Sequence, residues 1–312
     1  MTAESSSVLG AIGNTPIVRL RSLANPDHAR VLVKLEGFNP TGSYKDRMAL
    51  AMIEGAERRG LLRPGMSVVE FTGGSTGSSL ALICAVKGYP FKVVSSDAFA
   101  EEKLATMAAF GAEVTIVPSH GEGITETLIR AMGDIVRELD RSDQVHWTRQ
   151  FENADSLDGY EKIGLEAISQ VEGSIDAFCG GVGTGGMVMG VARALRHADT
   201  RTQVVVLEPA ESAVLTTGTP GAHHIEGVGV GFRPPLLDDD LFDEVRTVSE
   251  SDARMMAKRL AREEGIFAGI SSGMNVVGAL GVARNLGPEK TVLTVACDTG
   301  LKYLSGDLFR KR

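Results

Sequence analysis

The chain has 312 residues with 32 Lys plus Arg against 40 Asp plus Glu, a formal net charge of −8, which excludes a general binder of nucleic-acid phosphates. It is 43% hydrophobic and 23% charged but only 5% aromatic, with 37 glycines, a composition suited to a soluble protein with many tight strand-to-helix turns. No apolar stretch is long enough to span a bilayer and the opening MTAESSSVLG lacks the basic and apolar regions of a secretory leader, so a cytoplasmic protein with no membrane partner is expected.

In chain order, the turn residues 39–44 (NPTGSY) lead into a helix beginning near Asp46, with Met48, Ala51 and Met52 on its inner face. Residues 67–71 (SVVEF) read as a buried strand, and TGGSTG (72–77) follows. An apolar helix over Ser78–Val86 is stopped by Lys87 and Gly88. Next come a strand over 91–94, a helix over 101–110 ended by Gly111, and a strand over 113–117. The unit recurs as a strand over 175–179, the turn GGVGTGG (180–186), a helix over 187–196 and a strand over 203–207. A late helix follows Ser249-Glu250-Ser251-Asp252, which carries a capping-box pattern, and stops at Gly265. Strands separated by helices of this length predict βαβ crossovers and parallel sheets. Two such series predict two α/β domains, a smaller one over 1–150 and a larger one over 151–312, divided near the polar stretch 141–153.

Four segments could carry chemistry. In GGVGTGG the glycines let backbone N–H groups converge on an anion at a positive helix end, as a phosphate cup does. The same segment fits GxGxxG through Gly181, Gly183 and Gly186, with Glu208 near the spacing of a ribose-binding acid, so a nicotinamide-dependent oxidoreductase stays open here. TGGSTG fits GxSxG through Gly73, Ser75 and Gly77; it reads as a hydrolase elbow or as a second anion cup suited to a carboxylate. Lys45 stands at a positive helix end, which disfavours its ammonium and helps a Schiff-base or proton-transfer role, although a lone lysine also reads as a solvated one. GISSG (269–273) has no His after it, the last being His224, which leaves Ser271 as a cap or a ligand contact. Cys84, Cys179 and Cys297 lie far apart inside apolar runs and read as buried reduced thiols, with no metal-ligand spacing. A pyridoxal 5′-phosphate (PLP) enzyme uses every segment: a cup for the cofactor phosphate, a cup for a substrate carboxylate, a lysine for the aldehyde and a hydroxyl for the pyridine nitrogen.

The chain resembles the cysteine synthase (O-acetylserine sulfhydrylase) and cystathionine β-synthase family of fold-type II PLP enzymes. The resemblance runs from Ile12-Gly13-Asn14-Thr15-Pro16 through NPTGSYKDR (39–47), FTGGSTG (71–77), GVGTGG (181–186), GVGVGF (227–232) and GISSG to Asp298-Thr299-Gly300. It implies two domains of mostly parallel twisted sheet flanked by helices, tryptophan synthase β-like, with the active site in the cleft and part of 11–37 crossing to the larger domain. It implies Lys45 as the aldimine lysine and Gly183, Thr184, Gly185 and Gly186 around the phosphate, with Met187 at a position where the family usually has a threonine. Ser271 would face the pyridine nitrogen, Gly227 and Gly229 would line the cofactor face, and Asp298 would complete the cofactor pocket. The loop of Thr72, Gly73, Gly74, Ser75 and Thr76 would close on the substrate carboxylate beside Gln150. The implied reaction is β-replacement on serine, an O-activated serine or cysteine through an α-aminoacrylate, with a small nucleophile, in a homodimer; net β-elimination is the near alternative. The chain departs from the family where its loop normally reads TSGNTG, Gly73 standing for the serine and Ser75 for the asparagine. Cys297 stands where proline is common, and 96–100 (SDAFA) lacks the usual MPxxMS-like pattern.

Overall fold

The computed structural model describes residues 6–121, 125–199 and 201–310. Among these, the strands form two sheets. The smaller sheet holds β3 (Ser67–Phe71), β4 (Phe91–Ser96), β5 (Glu113–Val117) and β6 (Val145–Trp147) in the order β5-β4-β3-β6, all pairs parallel. The larger sheet runs β1 (Ile17–Arg19), β2 (Arg30–Leu35), β10 (Thr291–Ala296), β7 (Ala177–Gly181), β8 (Gln203–Pro209), β9 (Glu244–Val248). Only β1 is antiparallel there. Parallel neighbours need long crossovers, supplied here by α2 (Ser75–Lys87), α3 (Glu101–Ala109), α6 (Gly186–Ala198) and α7 (Val214–Thr217), while α1 (Lys45–Arg58) and α5 (Asp155–Gln170) pass between the sheets and α4 (Glu126–Leu139), α8 (Glu250–Arg259) and α9 (Ile270–Leu286) join strands that are not adjacent. The result is the α/β architecture expected from the alternating pattern.

Strands covered on both faces should be apolar throughout. β10 is buried at all six positions and β7 at all five. α2 is apolar around its whole circumference because it lies under the small sheet, and it stops where Gly88 adopts φ 78°. α8 is capped as anticipated, Ser249 Oγ accepting from the Asp252 N–H at 3.1 Å. A five-residue π turn, Leu260–Glu264, then carries the chain to Gly265 at φ 70°. The three cysteines are buried and free.

Two boundaries differ from the sequence reading in ways that matter for chemistry. α2 starts at Ser75 rather than Ser78, so half of TGGSTG is helix. β7 runs two residues later than expected, ending at Gly181, because that residue pairs with Leu207 of β8 and its N–H donates to Asn275 Oδ1 at 2.8 Å. The polar stretch 141–153 contains β6, pinned to the sheet by a buried acid. Glu70 accepts from Trp147 Nε1, Thr148 Oγ1 and the Gln150 N–H at 3.0, 2.7 and 3.0 Å. No helix among the described residues is long and apolar enough to cross a membrane.

Candidate active site

The turn before α1 is built by Asp46. Its carboxylate accepts from the Thr41 N–H and hydroxyl at 2.8 and 2.5 Å and from Ser79 Oγ at 2.6 Å. Gly42, at φ 74°, lets the chain pass Thr299, whose methyl would lie 2.6 Å from a Cβ there. The turn is then zipped to the end of β10. The Tyr44 N–H donates to Cys297 O at 3.0 Å, the Thr299 N–H to Gly42 O at 2.9 Å, and Ser43 bridges Asp298.

Lys45 is thereby the first residue of α1 and is 8% exposed. Its Nζ lies 4.7 Å from the Tyr44 ring centroid and 5.9 Å from that of Tyr160. Burial disfavours the ammonium and lowers its pKa to about 8, against an opposing pull from Cys297 and Asp298. An amine in that range is available uncharged near neutral pH, which a lysine that attacks an aldehyde or takes a proton requires.

Tyr160 links this lysine to the second glycine turn, since a Cβ on Gly186 would lie 3.2 Å from its ring. Gly183 is pressed against the loop of Gly227 and Gly229: a Cβ at 183 would sit 2.0 Å from Gly227 O, and the Gly229 N–H donates to Val182 O at 3.0 Å. Gly185 takes φ 84° at the cap of α6, which has no side-chain cap beyond a 3.3 Å bond from the Gly186 N–H to Thr184 Oγ1. A buried helix start with its leading N–H groups left open is a seat for a phosphate. The Met187 side chain points away into the core, its methyl against Gly180, so only its backbone can serve an anion. The cradle therefore fits a phosphorylated cofactor, and the Lys45 amine, which shares the Tyr160 ring with it, fits an aldehyde.

Ser271 is the second residue of α9, whose start at Gly269 is also without a side-chain cap. It is 5% exposed and hydrogen-bonds Cys297, while Ser272 Oγ accepts from the Cys297 N–H at 2.9 Å. Burial raises the Cys297 thiol to about 12. Asp298 takes the Tyr303 hydroxyl on Oδ2 at 2.8 Å, and its buried Oδ1 has no partner.

In the loop 72–76, Thr72 Oγ1 accepts from the Gly74 N–H at 3.2 Å and α2 again begins without a side-chain cap. The Gln150 amide is spent holding this loop, Nε2 donating to Phe71 O at 3.1 Å and Oε1 accepting from Thr76 Oγ1 at 2.9 Å. A Cβ on Gly73 would fall 1.8 Å from atoms of the Phe99 ring, so the altered loop and the altered segment 96–100 are one packing unit. Ser75 Oγ accepts from Lys302 Nζ at 3.1 Å.

Two alternatives fail on these contacts. Glu208 does not face a ribose: its carboxylate accepts from the Leu215 and Thr216 N–H groups and the Thr216 hydroxyl at 2.7, 2.9 and 2.7 Å, anchoring the start of α7. The partner of the Ser75 hydroxyl is an ammonium rather than an imidazole, so the hydrolase elbow has no base. The sequence reading missed Tyr44, Tyr160, Cys297's contact with Ser271, Phe99 and Lys302. Only Cys297 and the segment of Phe99 carried a signal, as departures from a family pattern.

The family model for pyridoxal-phosphate dependent enzymes matches residues 8–298. This chain belongs to that family. The enzyme is 41% identical over 300 residues to a cysteine synthase of Staphylococcus aureus, covering 96% of this chain and 95% of that one. It superposes on an O-ureido-L-serine synthase with a TM-score of 0.90 at 37% identity, over 98% of this chain and 96% of that one. It also superposes on the O-acetylserine sulfhydrylase isoform 3 of Entamoeba histolytica with a TM-score of 0.91 at 32% identity, over 99% and 93%. Both superpositions carry the fold-type II architecture over to this PLP enzyme.

Proposed function

We propose that this PLP enzyme replaces the β-substituent of O-acetylserine or a closely related O-activated serine with a small nucleophile, as a cysteine synthase does. The observation that carries the reading is Lys45, buried at the head of α1 with its pKa lowered to about 8, in a chain whose α2, α6 and α9 all start without side-chain caps. Lys45 would hold the cofactor aldehyde, the α6 start with Gly183 to Gly186 the phosphate, and Ser271 the pyridine nitrogen. When bound, PLP supplies the electron-withdrawing ring that lets an α-proton and then a β-substituent leave.

The protein's own contributions follow from position. The uncharged Lys45 amine takes the α-proton and later returns it. Ser271 is neutral and hydrogen-bonded to a thiol that stays protonated, so it stabilises an unprotonated ring nitrogen. The loop 72–76, fixed by Gln150, holds the substrate carboxylate and excludes water above the reacting carbons. Two of the relatives named above are synthases and the third is an O-acetylserine sulfhydrylase, which favours replacement over net elimination.

The lobes divide near residue 150, with β1 and β2 belonging to the larger one, and the enzyme works as a homodimer in the cytoplasm. Three buried free thiols suit a reducing compartment. Light scattering on the purified protein checks the dimer. Purified enzyme should be yellow, borohydride should fix the pigment on the Lys45 peptide, and O-acetylserine with sulfide should give cysteine. Colourless protein that takes up no PLP would overturn the reading; pyruvate as the main product with sulfide present would replace it with elimination.

A further inference from the structure

Lys302 lies in a short 3₁₀ turn, Gly300–Tyr303, and is 9% exposed. Its Nζ donates to Ser75 Oγ at 3.1 Å. No described carboxylate closes an ion pair with it. Of the acids that face it, Asp46 accepts from Thr41 and Ser79 and Glu226 pairs with Lys103, while Asp298 takes the Tyr303 hydroxyl on Oδ2 and attracts the ammonium without a hydrogen bond to it. A buried ammonium with donors left over costs stability unless a further acceptor arrives.

The position says what that acceptor is. A serine hydroxyl has one hydrogen, and by accepting from Lys302 it is left to donate elsewhere. Ser75 is the first residue of α2, whose start has no side-chain cap, so the free O–H and the leading helix N–H groups serve the same loop. Among the described residues, Lys302 is the cation hydrogen-bonded to this loop, so a carboxylate entering it meets a positive charge there.

Resting on the proposed reaction, we infer that Lys302 is the positioning residue of the substrate-carboxylate subsite, aiming the Ser75 hydroxyl and supplying the charge that an amino-acid carboxylate meets. The asparagine's place in the family loop is thus filled by two residues, a serine and a lysine from near residue 300.

The test is steady-state kinetics of K302M, K302R, S75A and K302M/S75A holoenzymes with O-acetylserine and sulfide. K302M should keep the visible cofactor absorbance and a kcat within a few-fold of wild type, while KM for O-acetylserine rises about 10- to 100-fold, as loss of a charge-assisted hydrogen bond implies. K302R should recover most of that rise. The double variant should be little worse than K302M, because the two side chains act as one unit. A folded, yellow K302M with KM unchanged, or one whose kcat falls while KM holds, overturns the inference. Should K302M fail to fold, S75A reads the same subsite with Lys302 in place, and a wild-type KM in S75A overturns it equally. A wild-type protein that binds no PLP strikes the proposed reaction instead, so the two failures are distinct.

Discussion

At the scale of single residues, the proposed chemistry depends on moving one proton equilibrium. Lys45 is disfavoured as an ammonium by burial, with Cys297 and Asp298 opposing the shift only in part. Two outcomes follow. PLP uptake by the apoenzyme should quicken as the pH rises through about 8, measured by the growth of visible absorbance. The unfolded chain holds its proton up to the ordinary lysine value, so between about 8 and that value it binds more protons than the folded chain. Apoprotein stability should therefore rise with pH across that window, and K45M should lose the slope in denaturant titrations. The sequence made Lys45 legible only through its neighbours in the chain. Its pKa is lowered by burial, and the groups that oppose the shift arrive from just beyond β10, where no spacing rule reaches them. Glu208 shows the converse: its distance from a glycine turn suggested a ribose, but its carboxylate was already committed to three groups at the start of α7.

At the scale of elements, glycine acts by letting backbones touch. Gly183→Ala would drive a methyl to within 2.0 Å of Gly227 O, a carbonyl of the loop that Gly229 pins to Val182. Backbone cannot yield as a side chain can, so the variant should bind PLP weakly or not at all and unfold about 1–3 kcal/mol earlier. Equilibrium dialysis and a denaturant curve check both. Gly73→Ser sets a side chain against the Phe99 ring and should impair the loop. Gly73→Ser with Phe99→Ala should recover part of the lost kcat/KM, because the ring and the missing serine contend for one space. The glycine turns were legible because so many adjacent glycines need a use. Their registers were not, since the starts of α2 and the end of β7 are set by partners on other elements, Leu207 and Asn275 for the latter.

At the scale of the molecule, a buried charge network clamps α1 to the end of β2 and to α5. Arg47 donates to Glu36 from Nε and Nη2 at 2.7 and 2.8 Å and to Glu166 of α5 at 2.6 and 2.8 Å, and Lys34 of β2 pairs with Glu166 at 2.7 Å. Removing one partner leaves a buried charge unanswered, so Arg47→Met should cost about 3–5 kcal/mol by chemical denaturation. Arg47 and Lys34 also hold the Glu166 carboxyl down at about 2. Its contribution is present above the ordinary glutamate value and is lost as the pH falls toward about 2, so acid unfolding should come at higher pH in Glu166→Gln. Alternating strands and helices made the α/β class legible. They said nothing of sheet order, where β2 lies between its sequence neighbour β1 and β10 from the far end of the chain.

That neighbour has a consequence for how the protein is made. β2 has only the short β1 beside it until β10 arrives, and the turn carrying Lys45 is closed by Cys297, Asp298 and Thr299. On the ribosome, an emerging chain holds the Lys45 motif early but shields it only after residue 299 has left the exit tunnel. Cofactor capture is then a late event of biogenesis, and a nascent fragment ending before β10 should meet free PLP no better than a short peptide containing Lys45.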